Sequence, residues 1–152
     1  MQIGVRFLAR QDRTVAQVER YLESKGASPF QVRQTVRRLS DLSYLDDYAY
    51  AQRWVGNRLV ARPMGQERLK AELQAKGISE ALANRAIADV FRQVQVDEEV
   101  LAHRALKGKQ RHGRRLTRSQ TMHLLRQRGF SQETIDRMIG EFGTTEERVY
   151  EE

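Results

Sequence analysis

Residues 21–39 read YLESKGASPFQVRQTVRRL, residues 72–90 read ELQAKGISEALANRAIADV, and residues 124–142 read LLRQRGFSQETIDRMIGEF. Set on Gly26, Gly77 and Gly129, the three stretches share one pattern, recurring after 51 and then 52 residues. Leu22, Leu73 and Leu125 stand four residues before the glycine, and Lys25, Lys76 and Arg128 directly precede it. Ser28, Ser79 and Ser131 follow two residues after. Apolar residues then recur at Val32, Ala83 and Ile135, at Val36, Ile87 and Ile139, and at Leu39, Val90 and Phe142.

Each position has a physical reading. The glycine ends a helix, because the residue after the C-cap takes a left-handed conformation that only glycine enters cheaply. The cation before it faces the negative helix end. The serine caps the next helix by accepting its free amide hydrogens, and Pro29 suits a first helical position. The apolar spacings of 4, 4 and 3 trace one helical face. Thr14-x-x-Gln17 and Thr117-x-x-Gln120 read as capping boxes opening the preceding helices of units one and three. Leu73 and Leu125 are assigned to the core.

A third helix completes each unit. Asp46 and Asp97 lie 20 residues after Gly26 and Gly77 and open helical runs to about Ala61 and Lys109. Val5–Arg10 fits the end of an equivalent helix. The fold class is therefore all-α: nine helices in three tandem helix-turn-helix-like repeats, over residues 1–41, 46–93 and 97–143. Residues 144–152 are expected to form an acidic, frayed tail. The helical pattern is weakest at residues 108–117, where Gly108 and Gly113 interrupt a basic run.

The composition of the 152 residues fits this plan. Two prolines allow long helices, and 39% apolar content allows a core. The absence of cysteine excludes disulfides and thiolate metal sites and makes a reducing cytoplasm the expected compartment. No apolar run reaches the roughly 18 residues that a membrane span needs. The net charge of +7 favours polyanionic partners. Residues 104–128 hold nine Lys or Arg and no acid, whereas residues 133–152 hold seven acids and two arginines. Arg104, Lys107, Lys109, Arg111, Arg114, Arg115 and Arg118 are the candidate contacts for DNA phosphate or an acidic protein face.

Catalytic and metal chemistry find little support. Asp46 and Asp47 are adjacent, so on a helix they point about 100° apart; a cap plus a favourable charge at the helix start accounts for both. His103, His112 and His123 lack metal-ligand spacing. No phosphate loop, nucleophile elbow or zinc signature is present. Neither enzymatic activity nor a cofactor or metal is expected. Trp54, with Tyr50 on its helical face, is assigned to the core, with a partner-binding hot spot as the alternative.

The stretch Tyr44-Leu45-Asp46-Asp47-x-x-Tyr50-Ala51, followed by Gly65-x-x-Arg68-Leu69-x-x-Glu72-Leu73-x-x-Lys76-Gly77-Ile78, resembles the signature of the RecX regulatory proteins. Leu8-Ala9-Arg10-x-Asp12-Arg13-Thr14 and Leu125-x-x-Arg128-Gly129-Phe130-Ser131 match the same family, so the resemblance runs from about residue 5 to 142. Ser43 replaces the glycine that commonly precedes the Tyr-Leu-Asp-Asp motif. The resemblance implies structural roles for Tyr44, Leu45, Asp46, Asp47, Gly65, Arg68, Lys76, Gly77 and Gly129, and an elongated, curved repeat array. It also implies a bacterial modulator of the RecA recombinase. Such a protein lodges in the groove of the RecA filament on single-stranded DNA and inhibits ATP hydrolysis, strand exchange and co-protease activity. A monomer that binds DNA only weakly and without sequence preference is expected.

Two other classes remain open. A free-standing DNA-binding protein would use basic second helices, such as the one carrying Arg33, Arg37 and Arg38. Unit two offers only Arg85 and Arg92 there and unit three only Arg137, so no reading face repeats. A purely structural scaffold would not require the basic block.

Overall fold

The computed structural model of the chain describes residues 1–110 and 115–146, without the side chains of Arg10, Gln110 and residues 142–146. Arg111, His112, Gly113 and Arg114 of the basic block, and residues 147–152 of the acidic tail, lie outside the described residues. Among the described residues there are nine helices and no strand. They are α1 (Gln2–Arg10), α2 (Val15–Ser24), α3 (Pro29–Asp41), α4 (Asp47–Ala61), α5 (Gln66–Ala75), α6 (Glu80–Gln93), α7 (Glu98–Gln110), α8 (Arg118–Gln127) and α9 (Gln132–Glu146). Among the described residues none is long and apolar enough to cross a membrane.

The helix ends follow from the residues that set them. Thr14, Ser28 and Thr117 each form a reciprocal capping box with the glutamine three residues on. Ser79 and Asp46 accept from Leu82 N and Ala49 N, and Asp97 Oδ1 accepts from Val100 N at 2.9 Å. Gly26, Gly77 and Gly129 take φ of +88°, +85° and +77°. At each, the glycine amide donates three residues back, to Glu23, Gln74 and Arg126. The next amide, of Ala27, Ile78 or Phe130, donates to Leu22, Leu73 or Leu125 at 3.1 Å. This is the Schellman closure; the leucine side chains at the accepting positions are buried in the core. Ser43 (φ +63°) and Gln95 (φ +55°) close α3 and α6 in the same way without glycine.

The extensive helix packing lies within each trio: α1 with α2 and α2 with α3; α4 and α5 with α6; α7 and α8 with α9. The cores divide differently. Val18, Leu22, Val32, Leu39 and Leu45 form one cluster in unit one. A second, continuous cluster runs from Tyr50 and Val55 through Leu69, Leu73 and Ile87 to Leu101, Leu125 and Ile135. Units two and three thus share a core that unit one does not join.

Successive units meet at a joint built twice by the same rule. At the first, the Thr14 hydroxyl donates to the Lys76 carbonyl at 2.6 Å, and Asp47 Oδ1 accepts from Val15 N at 2.9 Å. At the second, Gly65 N donates to the Arg128 carbonyl at 2.7 Å, and Glu98 Oε1 accepts from Gln66 N at 2.8 Å. Thr14 and Gly65 are equivalent positions, as are Asp47 and Glu98, each pair 51 residues apart. The start of a middle helix therefore receives the glycine turn and a carboxylate of the following unit. A Cβ on Gly77 would fall 2.2 Å from Ala16 Cβ, and one on Gly129 2.3 Å from Arg68 N. A Cβ on Gly65 would fall 2.3 Å from the Gly129 oxygen, whereas one on Gly26 would meet nothing within 4 Å.

Several expectations change. The last helix continues to Glu146, past the expected start of a frayed tail. Asp47 does more than supply charge to α4, because it ties α4 to α2 across the first joint. Burial raises the Asp47 pKa; the Val15 N–H opposes that shift and the Asp46 carboxylate adds to it. Tyr44, expected to be structural, serves through its amide bond to the Leu39 carbonyl (2.8 Å), while its ring is 56% exposed.

Candidate interaction surface

Leu73 and Leu125 are fully buried. The cations of the basic block are the opposite. Arg104, Lys107 and Lys109 are exposed on α7, Arg115 is exposed before α8, and Arg118 is exposed as its first residue. None of these five makes an ion pair with a carboxylate among the described residues. Lys107 and Lys109 sit in the last turn of α7, where the helix dipole favours them. Arg115 and Arg118 sit at the positive end of α8, and the first turn of that helix has no acid. That placement costs local stability and produces an electropositive, anion-attracting surface.

A second cationic feature lies at the first joint. Trp54, expected in the core, is only half-buried against it. Its Nε1 donates to Glu72 Oε2 at 3.0 Å, and Arg58 Nε donates to the same oxygen at 3.2 Å. The Arg58 guanidinium lies 4.8 Å and the Lys76 ammonium 4.1 Å from the Trp54 ring centre. Tyr50 stacks nearby, its ring plane 7° from that of Trp54. A polar ring edge beside two cations kept Trp54 from full burial. Helical spacing alone gave no sign of this, since Glu72 and Lys76 come from another helix.

The second joint gathers Arg62, Arg68 and Arg128. Arg68 NH1 donates to the Gln127 carbonyl at 2.9 Å, and Arg128 NH1 reaches the Pro63 carbonyl at 3.4 Å. Arg128 Nε is buried without a partner. Burial, then repulsion from Arg62 and Arg68, pushes the Arg128 pKa down from its ordinary value. Arg68, quoted above as a motif residue, and Lys76, read above as the cation at a helix end, thus both act at joints.

Elsewhere the Tyr48 hydroxyl donates to Asp89, which lowers the Asp89 pKa and raises that of Tyr48. Glu99, His103 and Glu141 bring three donor atoms within 4.8 Å of one another. His103 Nε2 lies 3.5 Å from Glu141 Oε2, a contact tying α7 to α9.

A chain of three-helix units, closed by glycine turns, keyed through repeated joints and presenting unneutralised cations, is a helical-repeat protein with an electropositive surface. Two family models match it: "RecX, first three-helix domain" over residues 1–39 and "RecX, second three-helix domain" over residues 46–87. The chain belongs to the RecX family. "Regulatory protein RecX" of Treponema pallidum (strain Nichols) is 33% identical over 111 residues, covering 73% of this chain and 66% of that protein. The protein of that name from Lacticaseibacillus paracasei is 29% identical over 142 residues, covering 91% of this chain and 58% of that one. The chain spans about a third of the length of the matching Lactobacillus delbrueckii proteins and about half that of several other curated relatives. The crystal structure of RecX from Lactobacillus salivarius superposes with a TM-score of 0.78 at 22% identity, covering 93% and 92% of the two chains. At that identity the likeness speaks to the fold.

Proposed function

We propose that the chain is a non-enzymatic negative regulator of homologous recombination that binds RecA filaments on single-stranded DNA. Membership of the RecX family carries this reading. The chain would lie in the filament groove as a monomer in the cytoplasm. Its three units, with boundaries near residues 41–46 and 93–97, would touch neighbouring protomers. Modest contacts, linked in one molecule, then add up to tight binding. The exposed cations of α7 and α8, together with Arg111 and Arg114, would meet acidic recombinase surface or DNA phosphate. Occupying the groove opposes protomer movement and entry of a second DNA, so ATP hydrolysis, strand exchange and co-protease activity fall together.

The test is the ATPase of the cognate RecA on single-stranded DNA, titrated with the purified protein. Inhibition at substoichiometric amounts is expected. A RecA ATPase unaffected by stoichiometric protein sinks the reading, as does ATP hydrolysis by the purified protein alone. Binding to DNA with and without RecA then separates a filament regulator from a free-standing DNA-binding protein.

A further inference from the structure

The first joint encloses a pocket of about 310 Å³, open to solvent, that packing between units one and two leaves unfilled. Aromatic, amide and cationic groups line it, with one acid. Trp54 supplies a half-exposed ring face, backed by the buried Tyr50 ring, with centroids 6.4 Å apart and planes nearly parallel. Gln17 and Asn57 supply amides, which both donate and accept. Arg13, Arg53 and Lys76 supply cations. The one acid on the lining, Asp12, is taken by Arg53 at 3.0 Å. Neither Arg13 nor Lys76 makes an ion pair with a carboxylate among the described residues; Arg13 stacks 4.3 Å over the Phe7 ring, which leaves its charge unneutralised. Arg13 Nε, moreover, is buried without an acceptor.

We propose that this pocket takes one unpaired nucleotide of single-stranded nucleic acid, its base on the Trp54 ring and its phosphate against Lys76 and Arg13. Aromatic faces beside a cationic groove are how single strands are held without sequence preference. The amides of Gln17 and Asn57 can meet the edge of any base. The Lys76 ammonium now lies over the Trp54 ring, where no carboxylate holds it. A base entering the pocket takes that ring face, and the ammonium turns to the phosphate. An acidic peptide would use the cations but leave the Trp54 ring face idle. A duplex keeps its bases paired and out of reach. The inference is independent of RecA, and so is its test.

Trp54 is the only tryptophan in the chain, so its fluorescence reports on the pocket directly. The full chain is titrated with oligodeoxythymidylate, with an abasic oligonucleotide of equal length, and with polyglutamate. Saturable quenching by the thymidylate is expected, with the abasic strand roughly ten-fold weaker, the loss expected when base stacking is removed. Asn57→Asp places an acid at an exposed lining position. It should weaken thymidylate binding while leaving the thermal melt in place. For Trp54→Leu, anisotropy of labelled strands should show that the preference for thymidylate over the abasic strand is gone. Equal quenching by the abasic strand overturns the proposal in favour of a backbone contact, and equal quenching by polyglutamate in favour of an acidic protein. Binding by anisotropy without any change in Trp54 emission places the DNA elsewhere and overturns it too, as does no binding at all.

Discussion

Gly65→Ala separates two reasons for a glycine. Gly65 has φ of −80°, which alanine adopts freely. Judged by backbone entropy alone, the substitution should stabilise by about 0.4–1 kcal/mol. The joint reverses the sign. The new Cβ would lie 2.3 Å from the Gly129 oxygen, 2.4 Å from its carbonyl carbon and 2.5 Å from Phe130 N. All three are backbone atoms, so no side chain can swing away. Non-bonded carbons rest at about 3.5–4.0 Å, so the two backbones must part by about 1 Å. The Gly65 N to Arg128 O bond (2.7 Å) and the Glu67 N to Gly129 O bond (3.2 Å) would both then exceed hydrogen-bonding distance. Two such bonds are worth about 1 kcal/mol each, and Gly65, being buried, adds the cost of an unsatisfied amide. After the entropic gain the net loss is about 2–3 kcal/mol. In a chain of this size that lowers Tm by roughly 5–10 °C. The matched control is Gly56→Ala, in mid-α4, where a Cβ meets nothing within 4 Å. It should stabilise by about 0.5–1 kcal/mol. Thermal melts followed by circular dichroism decide the matter. If Gly65→Ala melts at or above the parent temperature, the close approach is not what fixes this glycine.

Ser43→Gly and Gln95→Gly should each raise stability by about 1 kcal/mol in denaturant melts, because both residues hold left-handed backbone that glycine enters without strain; no gain at either site would refute that. Tyr48→Phe should alter the acid limb of a stability profile. The Tyr48 hydroxyl holds the Asp89 pKa below its ordinary value. A depressed folded pKa gives stability present above the unfolded value of about 3.9 and lost as pH falls through the folded one. The gap between parent and variant should therefore be full near neutrality and shrink below about pH 4; a gap independent of pH contradicts the assignment. Replacing Lys107, Lys109, Arg111, Arg114 and Arg115 by alanine should move the melt little and weaken DNA binding, flattening its salt dependence by about 0.7–0.9 per lost phosphate contact. Unchanged bare-DNA binding with reduced filament inhibition would place the block on protein instead. In hydrogen exchange, amides of α2 and α3 should exchange before those of α5 and α6, since unit one lacks a share in the larger core; equal protection would refute this.

The repeat was legible because its determinants are local. The glycines, the leucines four residues before them and the serine and threonine caps each act within one turn, so spacing alone located all three Schellman closures. The helical run from Asp97 to about Lys109 holds in α7 despite Gly108, because α7 buries Leu101, Ala102, Ala105 and Leu106, and packing outweighs the propensity cost of one glycine. The half-buried setting of Trp54 against the core was not legible, because its neighbours Glu72 and Lys76 belong to α5 and its C-cap. The joints were invisible for the same reason. Asp47 and Val15 lie 32 residues apart, and nothing in either local pattern announces the other. The cluster of cations on α7 was legible from the sequence; the pocket at the first joint was not, since its lining comes from the segment before α2, from α2 itself, from α4 and from the end of α5.

The two joints obey one rule but are reinforced differently, and the difference bears on how the molecule meets a partner. At the second, a shared apolar core backs the hydrogen bonds, so parting units two and three would expose buried hydrophobic surface. At the first, the connection is polar: Thr14 to Lys76, Val15 to Asp47, Asp12 to Arg53. Hydrogen bonds and an exposed ion pair contribute about 1 kcal/mol or less apiece, so this joint opens at lower cost. The nucleotide pocket lies across it, with Gln17 and Arg13 from unit one and Trp54 and Lys76 from unit two. A ligand that touches both sides binds the closed joint and not the open one, and by mass action must stabilise it. Filling the pocket and fixing unit one against the rest are then one equilibrium. A molecule built this way carries the exposed cations of α7 and α8 on the firmly joined pair of units, and keeps its more easily opened joint where a single strand would set it.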